Sequence, residues 1–197
     1  MKKILGILIL LIFVCIVTAA SNEHFISAYN MQNVIRLTSL FGIISIGVAF
    51  VIISGGIDLS IGSVICLVGS LLPYMIMEMD VPVPLALIFS AVLSIVIGLS
   101  HGLLITKLKL QPFIVTLCGL LIYRGIARGI TEDQTQGFGA THENLRYLAT
   151  GKISIPILEG FRLPVPFLIM IGVALIAAFF LNKTIFGDRK SVVWERV

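Results

Sequence analysis

The chain has 197 residues, 58% of them hydrophobic and only 12% charged, with a mean hydropathy of +1.09. Soluble domains carry about 25% charged residues, so this composition lacks the surface that a fold in water needs. The net charge of +4 comes from dispersed basic residues, which argues against a nucleic-acid-binding face and leaves membrane topology as their explanation.

In chain order, six apolar segments emerge at about 4–20, 34–53, 59–77, 82–106, 112–130 and 165–182. Each is close to the roughly 20 residues that cross a bilayer as a helix. The expected fold is an all-α polytopic transmembrane bundle of about six spans with a cytoplasmic N-terminus. Lys2 and Lys3, Lys107 and Lys109, and Lys183 then all lie inside, as the positive-inside rule requires. Merging 34–53 with 59–77 into one interrupted span would put Lys107 and Lys109 on the wrong side. The first segment has a rival reading: Lys2-Lys3, a short apolar core and Thr18-Ala19-Ala20 also resemble a cleavable signal peptide.

Between the second and third segments stands Gly55-Gly56-Ile57-Asp58-Leu59-Ser60-Ile61-Gly62. A carboxylate at bilayer depth costs about 2.5–3.5 kcal/mol on insertion scales, so chains that carry one usually use it. The flanking glycines let the backbone leave helical geometry, and breaks of this kind build transport pathways. Gly55, Gly56, Asp58, Ser60, Gly62 and Arg124 are therefore the candidate path or gate residues. Asp58 has two readings: it shapes the break around a solute path, or, with Ser60, it caps the third span near the cytoplasmic surface. Ser45, Ser54 and Ser63 are further polar groups that could face a path.

Arg124 and Arg128 share a helical face in the fifth span, and Gly125 and Gly129 repeat the same period, a pattern that permits close helix approach. Arg124 either lines a polar path or bonds to neighbouring carbonyls; Arg128 is expected to snorkel to the outer interface. Arg36 reads as an interface anchor at the outer start of the second span. His101 reads as a packing histidine near the inner end of the fourth span rather than a proton relay. The 131–164 stretch is the one long polar insertion and is expected to be a folded outer cap of short helical or turn elements. Cys15, Cys66 and Cys118 lie far apart in apolar runs, with neither metal nor disulfide spacing, and read as small buried hydrophobes.

Enzymatic chemistry has little support. No Gly-x-x-x-x-Gly-Lys-Ser/Thr occurs, so any ATP energy comes from a partner chain. His142-Glu143-Asn144-Leu145-Arg146 lacks the second histidine of a zinc-protease helix, and no cofactor or metal is expected on this chain.

Four ordered segments carry a family resemblance: Asn33-Val34-Ile35-Arg36-Leu37-Thr38-Ser39, Gly55 to Ser63, Gln111-Pro112-Phe113-Ile114-Val115-Thr116-Leu117, and Leu121-Ile122-Tyr123-Arg124-Gly125. Together they resemble the ribose-type sugar permeases of bacterial ABC importers over about 33–187. The resemblance implies a multi-pass inner-membrane permease for a monosaccharide or small polyol. It would pair with itself or a sister permease, receive solute from a periplasmic sugar-binding protein, and be driven by a cytoplasmic ATPase that binds the ATP. The alternative is an ion- or proton-coupled secondary carrier using Asp58, Arg124 and His101 as a charge relay. There are two departures. His101 stands where the family usually has Asn, and after Thr184-Ile185-Phe186-Gly187 the family pattern is lost. Residues 1–187 thus read as the N-terminal part of a permease domain and 188–197 as an atypical tail, so that the chain as written is not expected to transport by itself.

Overall fold

In the computed structural model, residues 2–139, 141–154 and 162–183 are described; the expected tail at 188–197 lies outside them. The elements are α1 (Lys2–Ser21), α2 (Ala28–Ile53), α3 (Ile61–Met77), α4 (Val83–Thr106), α5 (Pro112–Thr131), α6 (Glu143–Thr150), β1 (Lys152–Ser154), β2 (Arg162–Pro164) and α7 (Val165–Lys183). All six apolar segments are helices. Four, α2, α4, α5 and α7, are long and apolar enough to cross a membrane, while α1 and α3 contain shorter apolar stretches at Leu5–Ser21 and Ile61–Met77. The all-α polytopic class holds.

The helices expose their apolar side chains. Ile7 is 70% exposed, Leu121 66% and Phe179 62%, which suits contact with acyl chains and would not suit water. Cys15, Cys66 and Cys118 follow the same rule: they are free and exposed, not buried as expected. In a bilayer an apolar stretch need not point at protein, so hydrophobicity does not report burial there.

The chain divides into two compact units. One holds residues 1–44 and 144–179; the other holds Ser45–Glu143 and the last residues of α7. In the first unit, β1 and β2 pair antiparallel with Ile153 opposite Leu163, and Val165 N–H donates to Gly151 O at 2.8 Å where the hairpin enters α7. Lys152 Nζ donates to the buried Gln32 Oε1 at 2.8 Å and stands 5.4 Å from the Tyr29 ring centroid, tying the hairpin to the start of α2. The 131–164 insertion therefore contains a folded cap, made of α6 and, beyond what its sequence suggested, a two-stranded hairpin.

In the second unit, α3, α4 and α5 pack around Leu67, Ile97 and Ala127, with Val64, Leu93 and Tyr123 against them. The buried face of α5 runs through Val115, Gly119, Ala127 and Thr131, with Tyr123 half-buried among them, a spacing of four that keeps one stripe inward. Arg124 and Arg128 fall one position further round and are exposed. Gly125 and Gly129 make no close approach, since a Cβ on either would meet nothing within 4 Å among the described residues. The close approach belongs to Gly119 instead.

Candidate functional site

The site begins with the way α2 ends. Gly55 adopts φ +77°, the left-handed conformation in which glycine has no Cβ penalty. Its N–H donates to Ile52 O at 3.0 Å, and Gly56 N–H reaches back to Val51 O at 3.0 Å. Those two bonds are a Schellman closure, so the Gly-Gly pair stops the helix and satisfies its last carbonyls. The chain then runs without regular structure through Ile57 to Leu59 before α3 begins.

Asp58 organises the restart. Its Oδ1 accepts from Ser60 N–H at 2.8 Å and from the Ser60 hydroxyl at 2.6 Å, an Asx-type turn. Ser60, almost wholly buried, occupies the N-cap position of α3 and makes no side-chain cap bond, because its hydroxyl is turned back to Asp58. The expectation that Asp58 and Ser60 together cap α3 is therefore corrected: Asp58 holds the approach to the helix, and no side chain caps its first turn. Ser63 donates its hydroxyl to Ser60 O at 2.6 Å and is buried.

Around this turn lies a cavity of about 460 Å³. Its walls are the last turn of α2 and the break (Val51, Ser54 to Asp58), the last turns of α4 (Gly98, His101, Gly102, Ile105, Thr106), and the start of α5 (Pro112, Thr116). The break and the 107–111 turn thus meet at one end of this unit, where a second, smaller cavity is lined by Gly55, Ile57, Gln111, Pro112 and Phe113. Thr116 Oγ1 bonds to Pro112 O at 2.8 Å and lies 3.5 Å from Ile57 O, bridging α5 to the break. At the opposite end, Thr141 Oγ1 contacts Met77 Sδ at 3.7 Å beside the end of α3.

Of the residues singled out from sequence, Gly55, Gly56 and Asp58 line the cavity, as does Ser54. Ser60, Gly62 and Arg124 do not; neither do Ser45 and Ser63. Arg124 is exposed and has no hydrogen-bond partner among the described residues. Arg128 pairs with Asp133 through Nε–Oδ1 at 2.5 Å and Nη2–Oδ2 at 3.0 Å, just past the end of α5, and does not reach out alone. Bidentate hydrogen bonding from Arg128 lowers the Asp133 pKa below the ordinary carboxylate value, opposed by desolvation and helped to a lesser degree by the Arg128 charge. Arg36 donates to Asn33 Oδ1 at 2.8 Å within α2.

Sequence reasoning read His101 as a packing histidine, placing it beside Asp58 only in the alternative charge relay, and did not single out Thr116 or Tyr123. His101 lines the cavity, and its Nε2 is 2.9 Å from the Tyr123 hydroxyl across the α4–α5 contact. The signal was available in Gly119, the one glycine on the buried stripe of α5: a Cβ there would lie 2.7 Å from His101 Nε2.

The family described as "Branched-chain amino acid transport system / permease component" matches residues 30–194. Among curated proteins, the chain is 36% identical over 186 residues to the ribose import permease RbsC of Bacillus subtilis (strain 168), covering 94% of this chain and 54% of that protein. It is 39% identical over 118 residues to the xylose transport system permease XylH of Escherichia coli (strain K12), covering 60% of this chain and 30% of that one. It is also 35% identical over 165 residues to the inner membrane ABC transporter permease YjfF of the same strain, covering 84% and 48%. The chain thus spans about half the length of the curated relatives it matches, or less. No solved structure matches it. With residues 30–194 matched by the family and 94% of the chain aligned to a 36% identical relative, the chain belongs to this family of transport-system permease components.

Proposed function

We propose that this chain is part of the permease subunit of an ATP-driven bacterial importer for a monosaccharide or related small polyol, in the inner membrane. The observation that carries this reading is the 36% identity with a ribose import permease across 94% of the chain. The xylose permease and the inner-membrane ABC permease similarity point the same way. The partners would be a cytoplasmic ATPase pair, which binds and hydrolyses the ATP, a periplasmic sugar-binding protein, and a second permease copy or sister subunit.

Transport would proceed by alternating access, with ATP binding and hydrolysis in the partner favouring different arrangements of the helices. The positive-inside reading puts the end of the second unit that carries Lys107 and Lys109 in the cytoplasm. The cavity at the break then sits at the inner end of the path, where solute would leave. Asp58 and the glycines before it serve as a fixed turn in that wall.

A secondary carrier is the rival. It has in its favour that Asp58 and His101 line one cavity, but Arg124, the third member of the supposed relay, is not among the lining residues. Uptake of labelled ribose and xylose by cells carrying the full-length gene with its partners separates the two. Loss of uptake when the partner ATPase's phosphate-binding lysine is replaced is expected. Uptake that survives that change and collapses with a protonophore would replace the importer with the carrier.

A further inference from the structure

The cavity at the break has polar chemistry that its structural role leaves unused. Asp58 spends Oδ1 on Ser60, but Oδ2 has no hydrogen bond among the described residues. On the α4 wall, His101 Nε2 is taken by Tyr123, and Nδ1 has no partner among the described residues. When the Tyr123 hydroxyl donates to Nε2, the ring proton must sit on Nδ1, so the imidazole offers a donor. With the Tyr123 hydroxyl as donor, one cavity holds a carboxylate acceptor and an imidazole donor on different elements.

The rest of the lining sets the class of ligand. Among the described residues no lysine or arginine lines the cavity, and a carboxylate does. A phosphorylated sugar, or the carboxylate of an amino acid, would face that negative charge with no basic side chain to balance it. A neutral solute with several hydroxyls would not, since each hydroxyl both donates and accepts. The glycines at 55, 56, 98 and 102 keep the walls low and leave the backbone open to close approach by a ligand.

We propose that this cavity is a solute subsite for a neutral polyhydroxylated molecule, held between the Asp58 carboxylate and the His101 imidazole. Tyr123 and Gly119 are positioning residues: one fixes the imidazole tautomer, the other makes room for the ring against α5. The inference rests on the importer reading and extends it, assigning solute contact to His101 and excluding anionic cargo.

The test uses the full-length permease with its ATPase and binding protein in inside-out and right-side-out vesicles, with D-ribose, D-xylose and their deoxy analogues as probes. His101→Ala is expected to raise the transport KM about three- to tenfold, the size of one lost hydrogen bond, with a smaller effect on kcat. His101→Asn, which keeps an N–H donor of similar reach, is expected to restore most of it. Asp58→Asn is expected to narrow discrimination between ribose and one deoxy analogue. As a second measurement, Ser54→Cys in a background with Cys15, Cys66 and Cys118 replaced is expected to react with a methanethiosulfonate reagent from the cytoplasmic side and to be protected by the transported sugar. Unprotected labelling in a transporting protein would overturn the subsite, and so would complete inertness, which would mean that protein fills the cavity. Equal effects of His101→Ala on every analogue, with no rescue by His101→Asn, would overturn it as well. If the unaltered protein shows no ATP-dependent uptake of any neutral sugar, the importer reading falls and the subsite with it.

Discussion

Gly119 makes the room in which the His101 ring sits against α5. A methyl group there would lie 2.7 Å from His101 Nε2 and 3.0 Å from the Tyr123 ring, so Gly119→Ala must displace the imidazole or part α4 from α5. The expected result is a loss of stability of about 1–3 kcal/mol, measured by thermal unfolding in detergent, with larger loss of uptake than of folded protein. Gly55→Ala forces a Cβ into the left-handed region at φ +77° and is expected to cost about 1–2 kcal/mol by the same measurement. Gly62→Ala, at ordinary helical backbone with open space around it, is expected to be neutral or slightly stabilising. At the other end of α5, Asp133 has its pKa lowered by Arg128, so the sign of the linkage follows directly. The contribution of the pair is fully present above the ordinary carboxylate range and disappears as the pH falls through the lowered Asp133 value. Because both side chains are exposed, the effect is small and shrinks with added salt. Asp133→Asn should abolish that acid-side slope in unfolding experiments and leave neutral-pH uptake unchanged.

At the scale of elements, the helices were legible and their faces were not. Hydropathy located every apolar helix because a span of about 20 apolar residues has few other fates. The Gly-Gly-x-Asp break was legible for the same reason: a left-handed glycine and a short polar turn are local chemistry. What could not be read was rotation. In a soluble helix the apolar stripe marks the inward face, but α4 is apolar on both faces and α5 carries apolar residues on its exposed side too, so Arg124 and Gly125 were read as facing neighbours and Gly119 did not stand out. The small-residue period of Gly125 and Gly129 falls on the exposed side of α5, away from the stripe that packs among the described residues. The hairpin of β1 and β2 was missed because its strands are only three residues long, with Lys152 and Arg162 among them, and it is recognised through the Lys152–Gln32 bond that anchors it. Lys152→Met is expected to leave the spans intact and loosen this hairpin, seen as faster proteolysis after Arg162.

At the scale of the molecule, charge placement and contact pattern agree in the second unit. The break and the 107–111 turn meet at one end, and Thr141 meets the end of α3 at the other, as alternating crossings require. Cysteines introduced at Gln111 and Thr141 should therefore react with impermeant reagents from opposite sides of the membrane. The similarity to a ribose import permease covers 94% of the chain, and among the described residues the cavity has none of the basic side chains an anionic cargo would call for. The most direct test of the importer reading is sugar uptake into proteoliposomes holding the full-length permease, its ATPase and its sugar-binding protein. Accumulation of ribose or xylose that requires hydrolysable ATP and stops with a non-hydrolysable analogue is expected. Accumulation driven by a proton or sodium gradient without ATP would contradict the account.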